Sequence, residues 1–302
     1  MAMLPAQALA TTVLTERHLL WDVPAEWSLQ QAATVPVAYS TAYYALVVRG
    51  RMKKGDKVLI HSGSGGVGQA AIRLAIAYGC EVFATVGNLD KRRFLQRLFP
   101  QLEEDHFSSS RTAEFERHVK MMTQGRGVDL VLNSLAGELL QASLRCLAKW
   151  GRFLEIGKYD MSVDSQLDVV QLQEGVQVCG ILIDSLMDRA SPDYRHDDWM
   201  EVYRLVEEGV RSGVVLPLTL QVYEHERVEA AFRLMASGQH TGKVLLEVRK
   251  EEEEKLCLPR PLLVPAMART TFRPDNVYLI TGGLGGVGLE LAGWMVSRGA
   301  RK

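Results

Sequence analysis

Cysteine is scarce in this chain. Cys80, Cys146, Cys179 and Cys257 are the four, they lie far apart, and no C-x-x-C pair exists. Neither a zinc site nor a disulfide framework is suggested, and a reducing, cytoplasmic setting fits best. An excess of one charge is also missing, with 35 basic residues against 36 acidic ones. That balance gives no support to nucleic-acid or anionic-membrane binding. No apolar run is long enough to span a bilayer. The opening Met1-Ala2-Met3-Leu4-Pro5 is apolar but lacks the basic region of a signal peptide. No Ser/His/Asp set and no paired carboxylates stand out.

Glycine is present where it carries information. Gly63-Ser64-Gly65-Gly66-Val67-Gly68 follows the apolar run Lys57 to His61 and precedes the helix-forming run Gln69 to Tyr78. Strand, tight glycine turn and helix open a dinucleotide-binding unit. The first glycine permits the turn, the second lets the backbone approach a pyrophosphate, and the third lets the helix pack close. The anion then sits at the helix N-terminus. A second such run, Gly283-Leu284-Gly285-Gly286-Val287-Gly288, lies more than 200 residues later, after the apolar run Val277 to Thr281. With Thr281 and Gly282 it has the T-G-x-x-x-G-x-G form of short-chain reductases, and Gly282, Gly286 and Gly288 are its candidate phosphate-binding positions.

The end of the second strand bears on the choice of cofactor. Glu81 to Val86 ends in Gly87-Asn88, with no carboxylate for a ribose 2′-hydroxyl. Lys91, Arg92 and Arg93 follow. Such a cluster suits a 2′-phosphate and favours NADPH, with Lys91 and Arg92 as the candidate contacts. It also reads as a solvated helix start capped by Asp90, and Asp90 is the residue that argues for NAD.

Between 57 and about 184, strand patterns at 57–61, 81–86, 128–132, 152–156 and 176–183 alternate with helix patterns at 66–78, 90–98, 111–123 and 137–149. A short extra strand is expected near Asp105-His106-Phe107. The expected fold is α/β, a Rossmann-type doubly wound parallel sheet, with parts of a smaller, N-terminally truncated substrate domain. Segment 1–50 reads as a remnant of that domain with an entry helix, including helix patterns at 28–35 and 41–48. Residues 51–190 are the NADPH-binding domain. Residues 191–250 return to the substrate domain, with helices at 197–211 and 227–236, the latter burying Ala230, Ala231, Leu234 and Met235. Residues 251–275, charged and then proline-bearing, are a linker. Residues 276–302 begin a second nucleotide domain that the chain does not complete.

The runs His61 to Ala70, Val128 to Leu135, Gly151 to Lys158 and Val35 to Leu46 resemble the enoyl reductase of animal fatty acid synthase. The likeness runs from residue 1 to about 250, and 277–302 resembles the start of the ketoreductase that follows there. The resemblance implies a zinc-free, NADPH-dependent reductase of trans-2-enoyl thioesters on acyl carrier protein, working beside other synthase domains in a homodimer. It assigns the two candidate proton-donor positions to Lys158 and Asp184. By sequence logic both lie just past strand ends, where open α/β sheets bind ligands. A salt bridge between two loop residues is the alternative. Thr41 is a candidate nicotinamide neighbour, with Tyr43 read equally as core. Asn133 and Ser134 are candidate ribose contacts or a polar strand terminus, and His61 a packed strand-end histidine. Alternative functions are the polyketide synthase counterpart, a quinone oxidoreductase and an inactive NADPH-binding fragment.

Overall fold

A computed structural model describes residues 1–4, 9–10, 13, 15–157, 174–187, 189, 194–248 and 270–302. The chain divides into two compact units, Met1–Lys250 and Glu251–Lys302.

In the first unit, Ser28 begins α1 (Leu29–Ala33) with a reciprocal capping box: its Oγ accepts from Gln31 N, and the Gln31 side chain accepts from Ser28 N. Pro36 occupies the first turn of α2 (Pro36–Tyr43), where its missing N–H costs nothing. The helix thus starts five residues before the expected position 41 and continues as a π-helical stretch, Tyr44–Arg49.

The same unit continues with β1 (Lys57–Ile60), α3 (Gly66–Ala77), β2 (Glu81–Val86), α4 (Leu89–Leu98), β3 (Phe107–Ser109), α5 (Glu114–Met122), β4 (Val128–Asn133), α6 (Glu138–Arg145), β5 (Leu147–Glu155) and β6 (Gln177–Gly180). All pairings are parallel, in the order β3-β2-β1-β4-β5-β6. That is the order of a doubly wound dinucleotide-binding sheet, with its switch point between β1 and β4.

Alternate strand residues feed two cores. Val58, Ile60, Val82, Ala84, Leu130, Leu132 and Leu154 join the cluster that also holds α2 and α3. Leu59, Phe83, Val131 and Phe153 join Phe115, Val119, Leu140 and Leu144 on the other face. Period two with both sides apolar is what a sheet covered on both faces requires.

Several boundaries differ from the pattern reading. Helix α6 stops at Arg145, not 149, because the Cys146 carbonyl accepts from Val128 N at 2.9 Å and Leu147 enters the sheet. Asn88, not Asp90, caps α4: its Oδ1 accepts from Lys91 N at 2.9 Å. Asp90 sits in the first helical turn, 3.8 Å from Arg93. The extra strand begins only at Phe107, after a 3₁₀ turn at Glu104–His106. Ala2 bridges Leu20 in antiparallel fashion.

Helix α7 (His196–Ser212) has Asp197 and Asp198 in its first turn and Arg211 in its last, complementing its dipole, and ends at left-handed Gly213. Its Trp199 is fully buried and donates to His18 O, while Trp21 stacks on Tyr203 at 5.2 Å. The unit closes with β7 (Leu220–Glu224), α8 (Val228–Ser237) and β8 (Lys243–Glu247); β7 and β8 pair in parallel. On α8 only Ala231 is buried, and Met235 is 50% exposed, contrary to its expected burial.

In the second unit, α9 (Gly286–Ser297) follows the second glycine turn. The expected strand at 277–281 does not form among the described residues, because no strand lies beside it. Phe272 packs edge-on against Tyr278 and Trp294.

Candidate functional site

The site gathers at the carboxyl edge of the six-stranded sheet. After β1 the chain turns at Ser62 (φ 54), and Gly65 N donates to Ser62 O at 2.9 Å. A Cβ on Gly68 would lie 2.5 Å from Ser62 O, and one on Gly63 would press Leu95, Ile72 and Ala84 at 3.1–3.3 Å. The loop therefore lies against its own helix with no room for a side chain at Gly68 and little at Gly63. Gly65 caps α3 with no side-chain hydrogen bond, and the amides of the first helical turn, Val67 and Gly68 among them, are the groups a helix start presents to an anion. Ser64 is buried and spends its carbonyl on Gln69 Nε2 and Gly242 N, both at 2.8 Å.

The second turn has the same shape: Gly282 has φ 71, and Gly285 N donates to Gly282 O at 2.9 Å. A Cβ on Gly288 would lie 2.5 Å from Gly282 O, while one on Gly286 would meet nothing within 4 Å.

At the end of β4, buried Asn133 donates to Glu155 Oε2 at 2.6 Å and to Leu135 O at 2.8 Å. Glu155 also accepts from Gly157 N at 2.6 Å, which shapes the turn leading to residue 158. Ser134 Oγ meets Ser62 Oγ at 2.9 Å, linking the turn after β1 to the end of β4 across the switch point. Lys158 lies outside the described residues. Asp184 is exposed in the 3₁₀ turn Ile183–Leu186 that follows β6, on the same sheet edge. Thr41 is buried and donates to Val37 O at 2.7 Å within α2.

His61 packs as an internal strand-end residue. Nδ1 contacts Thr85 Oγ1 at 2.9 Å, Nε2 contacts Ser143 Oγ at 2.8 Å, and Phe115 lies edge-on at 4.9 Å. Burial pulls its pKa down to about 3.

The basic cluster after β2 divides. Lys91 reaches Gly238 O at 2.8 Å, and its pKa is lowered by burial and by neighbouring Arg111. Arg92 lies 2.9 Å from the exposed Glu104 carboxylate and lines the cavity beside the end of β2. A further cation beside the end of β2 is Arg111, whose guanidinium lies over Gly87, with Nη2 3.2 Å from where a Cβ would be. The sequence reading missed Arg111. The available signal was its position just past β3, the strand adjacent to β2. A cavity between Val86, Asn88, Leu89, Arg92, Phe107 and Ser109 opens beside this point.

Among the described residues no three of His, Cys, Asp or Glu gather as a metal site. No helix among them is long and apolar enough to cross a membrane.

A family model described as zinc-binding dehydrogenase matches residues 66–207, and one for the KR domain matches 276–302. The chain is 40% identical over 282 residues to a highly reducing polyketide synthase, cm3B, of Cordyceps militaris, covering 92% of this chain and 11% of that protein. It is 41% identical over 292 residues to the lovastatin diketide synthase lovF of Aspergillus terreus, covering 97% and 11%. The chain thus spans about a tenth of the curated relatives it matches. Among solved structures, CurK enoyl reductase aligns with a TM-score of 0.67 at 32% identity, covering 77% of this chain and 67% of that one. The nucleotide-binding subdomain of the PpsC enoyl reductase domain from Mycobacterium tuberculosis aligns at 0.53 and 35% identity, covering 60% and 97%. These relatives favour the polyketide synthase variant over animal fatty acid synthase. The chain belongs to the medium-chain dehydrogenase/reductase family, as the enoyl reductase region of a polyketide synthase running into the start of a ketoreductase.

Proposed function

We propose that the chain reduces the carbon–carbon double bond of trans-2-enoyl thioesters with NADPH during polyketide assembly, on substrates carried by acyl carrier protein. The carrying observation is the cationic pair Lys91 and Arg111 beside a β2 terminus that has glycine where a ribose-binding carboxylate would stand. It supports a 2′-phosphorylated dinucleotide laid along the glycine loop. The bound nicotinamide supplies hydride to the β-carbon of the enoyl group.

The chain's own residues do the rest. The α3 amides hold the diphosphate, and the Ser62–Ser134 contact keeps the two halves of the crevice in register. Ser134 lies on the same edge, where it can meet the nicotinamide ribose; Asn133 is fully buried in hydrogen bonds to Leu135 and Glu155 and supports that edge from within; and Thr41 lies on α2, packed against α3. Lys158 protonates the α-carbon or stabilises the enolate oxygen, and Asp184 orients it. In the parent polypeptide the reductase works beside its neighbouring domains within a homodimer, in the cytoplasm.

The test is NADPH oxidation on adding crotonyl-pantetheine or crotonyl-CoA, with NADH in parallel. Turnover with a preference for NADPH supports the reading. Binding of NADPH without turnover reduces this chain to a nucleotide-binding segment, and preference for NADH overturns the cofactor assignment.

A further inference from the structure

The entrance to β8 lies beside the glycine loop. Gly242 pairs with Gly65 as a parallel bridge and donates to Ser64 O at 2.8 Å. On the other flank Lys243 N donates to Thr219 O at 2.8 Å. Gly242 has φ +71, and a Cβ there would lie 2.0 Å from Thr219 O, so only glycine passes between the two. The Lys243 backbone is thereby fixed against the loop. Its stem crosses the first residue of α3: a Cβ on Gly66 would lie 2.6 Å from Lys243 Cδ. The ammonium is two bonds further on.

This places a cation beside the positive end of a helix dipole, an unfavourable pairing unless an anion joins them. Among the described residues no carboxylate forms an ion pair with Lys243, and burial is the cause that lowers its pKa. Lys243 therefore stands against the loop with no ion-pair partner among the described residues.

We propose that Lys243 binds the diphosphate of the dinucleotide, closing on it from β8 while the α3 amides hold it from the loop. The proposal rests on the dinucleotide reading above and adds a binding residue to it. Lys91 and Arg111 serve the 2′ end, which NADPH and NADH do not share, whereas the diphosphate is common to both. Loss of Lys243 therefore weakens both cofactors alike.

The experiment titrates NADPH and NADH by fluorescence into the full chain and into Lys243→Met and Lys243→Arg, with thermal unfolding measured without nucleotide. Lys243→Met is expected to weaken both dinucleotides roughly tenfold, as for one lost charge-assisted contact, leaving their affinity ratio unchanged. Lys243→Arg is expected to retain most of the affinity, and nucleotide-free Lys243→Met to unfold no earlier than wild type, since it removes a cation from a positive helix end. Unchanged binding in Lys243→Met, a loss confined to NADPH, or a lower unfolding temperature without nucleotide overturns the proposal. A wild-type chain that binds neither dinucleotide overturns the functional reading itself.

Discussion

Arg111 lies over Gly87, its Nη2 3.2 Å from the position a Cβ would take. The contact links the loop after β3 to the loop after β2, and it exists because the sheet order makes those strands neighbours. Arg111→Ala should weaken NADPH roughly tenfold or more while leaving NADH nearly unchanged, since charge-assisted contacts to a phosphate contribute about 1.5–3 kcal/mol. Paired titrations check this; equal losses for both cofactors would place Arg111 elsewhere than at a 2′-phosphate.

The third glycine of the first loop is a packing requirement. A Cβ at Gly68 meets Ser62 O at 2.5 Å and Gly63 Cα at 2.7 Å, both backbone atoms that cannot swing away. Gly68→Ala should cost about 1–3 kcal/mol of stability from forced displacement and abolish dinucleotide binding. Urea unfolding and fluorescence titration report the two effects. An alanine variant with wild-type behaviour in both would contradict the geometry.

His61 makes a pH prediction. Its folded pKa is lowered to about 3 by burial, below the usual value of about 6.5. Between these values the unfolded chain binds a proton that the folded chain does not, so this residue's contribution is present above about pH 6.5 and is lost as pH falls toward 3. His61→Gln should be less stable than wild type at pH 7.5, where both ring nitrogens are hydrogen-bonded. The gap should narrow by up to about 1.4 kcal/mol per pH unit below pH 6.5. Urea midpoints from pH 7.5 to 5 measure it; a gap that stays constant or widens refutes the assignment.

Asp184 stands on the carboxyl edge of the sheet, in the turn after β6. Asp184→Asn should lower turnover of crotonyl thioesters roughly a hundredfold with NADPH affinity unchanged. Wild-type turnover in that variant returns Asp184 to a surface role.

The parallel sheet was legible because Val58-Leu59-Ile60 and Leu130-Val131-Leu132 are apolar at successive positions, the mark of strands buried on both faces. The glycine turn was legible because its chemistry is local. Arg111 and Lys243 were not, because each reaches the site through strand adjacency or an isolated bridge rather than through sequence neighbours. Asn88 was passed over as a cap because Asp90 also has the right chemistry, and the backbone decided between them.

The two glycine turns place different residues at one left-handed position, Ser62 in the first and Gly282 in the second. A serine there carries about 1–2 kcal/mol of backbone strain that glycine escapes, and its hydroxyl uses the position to reach Ser134. The two loops are therefore not interchangeable cassettes: grafting the later one into the earlier place would relax the main chain and leave Ser134 without its partner across the cleft.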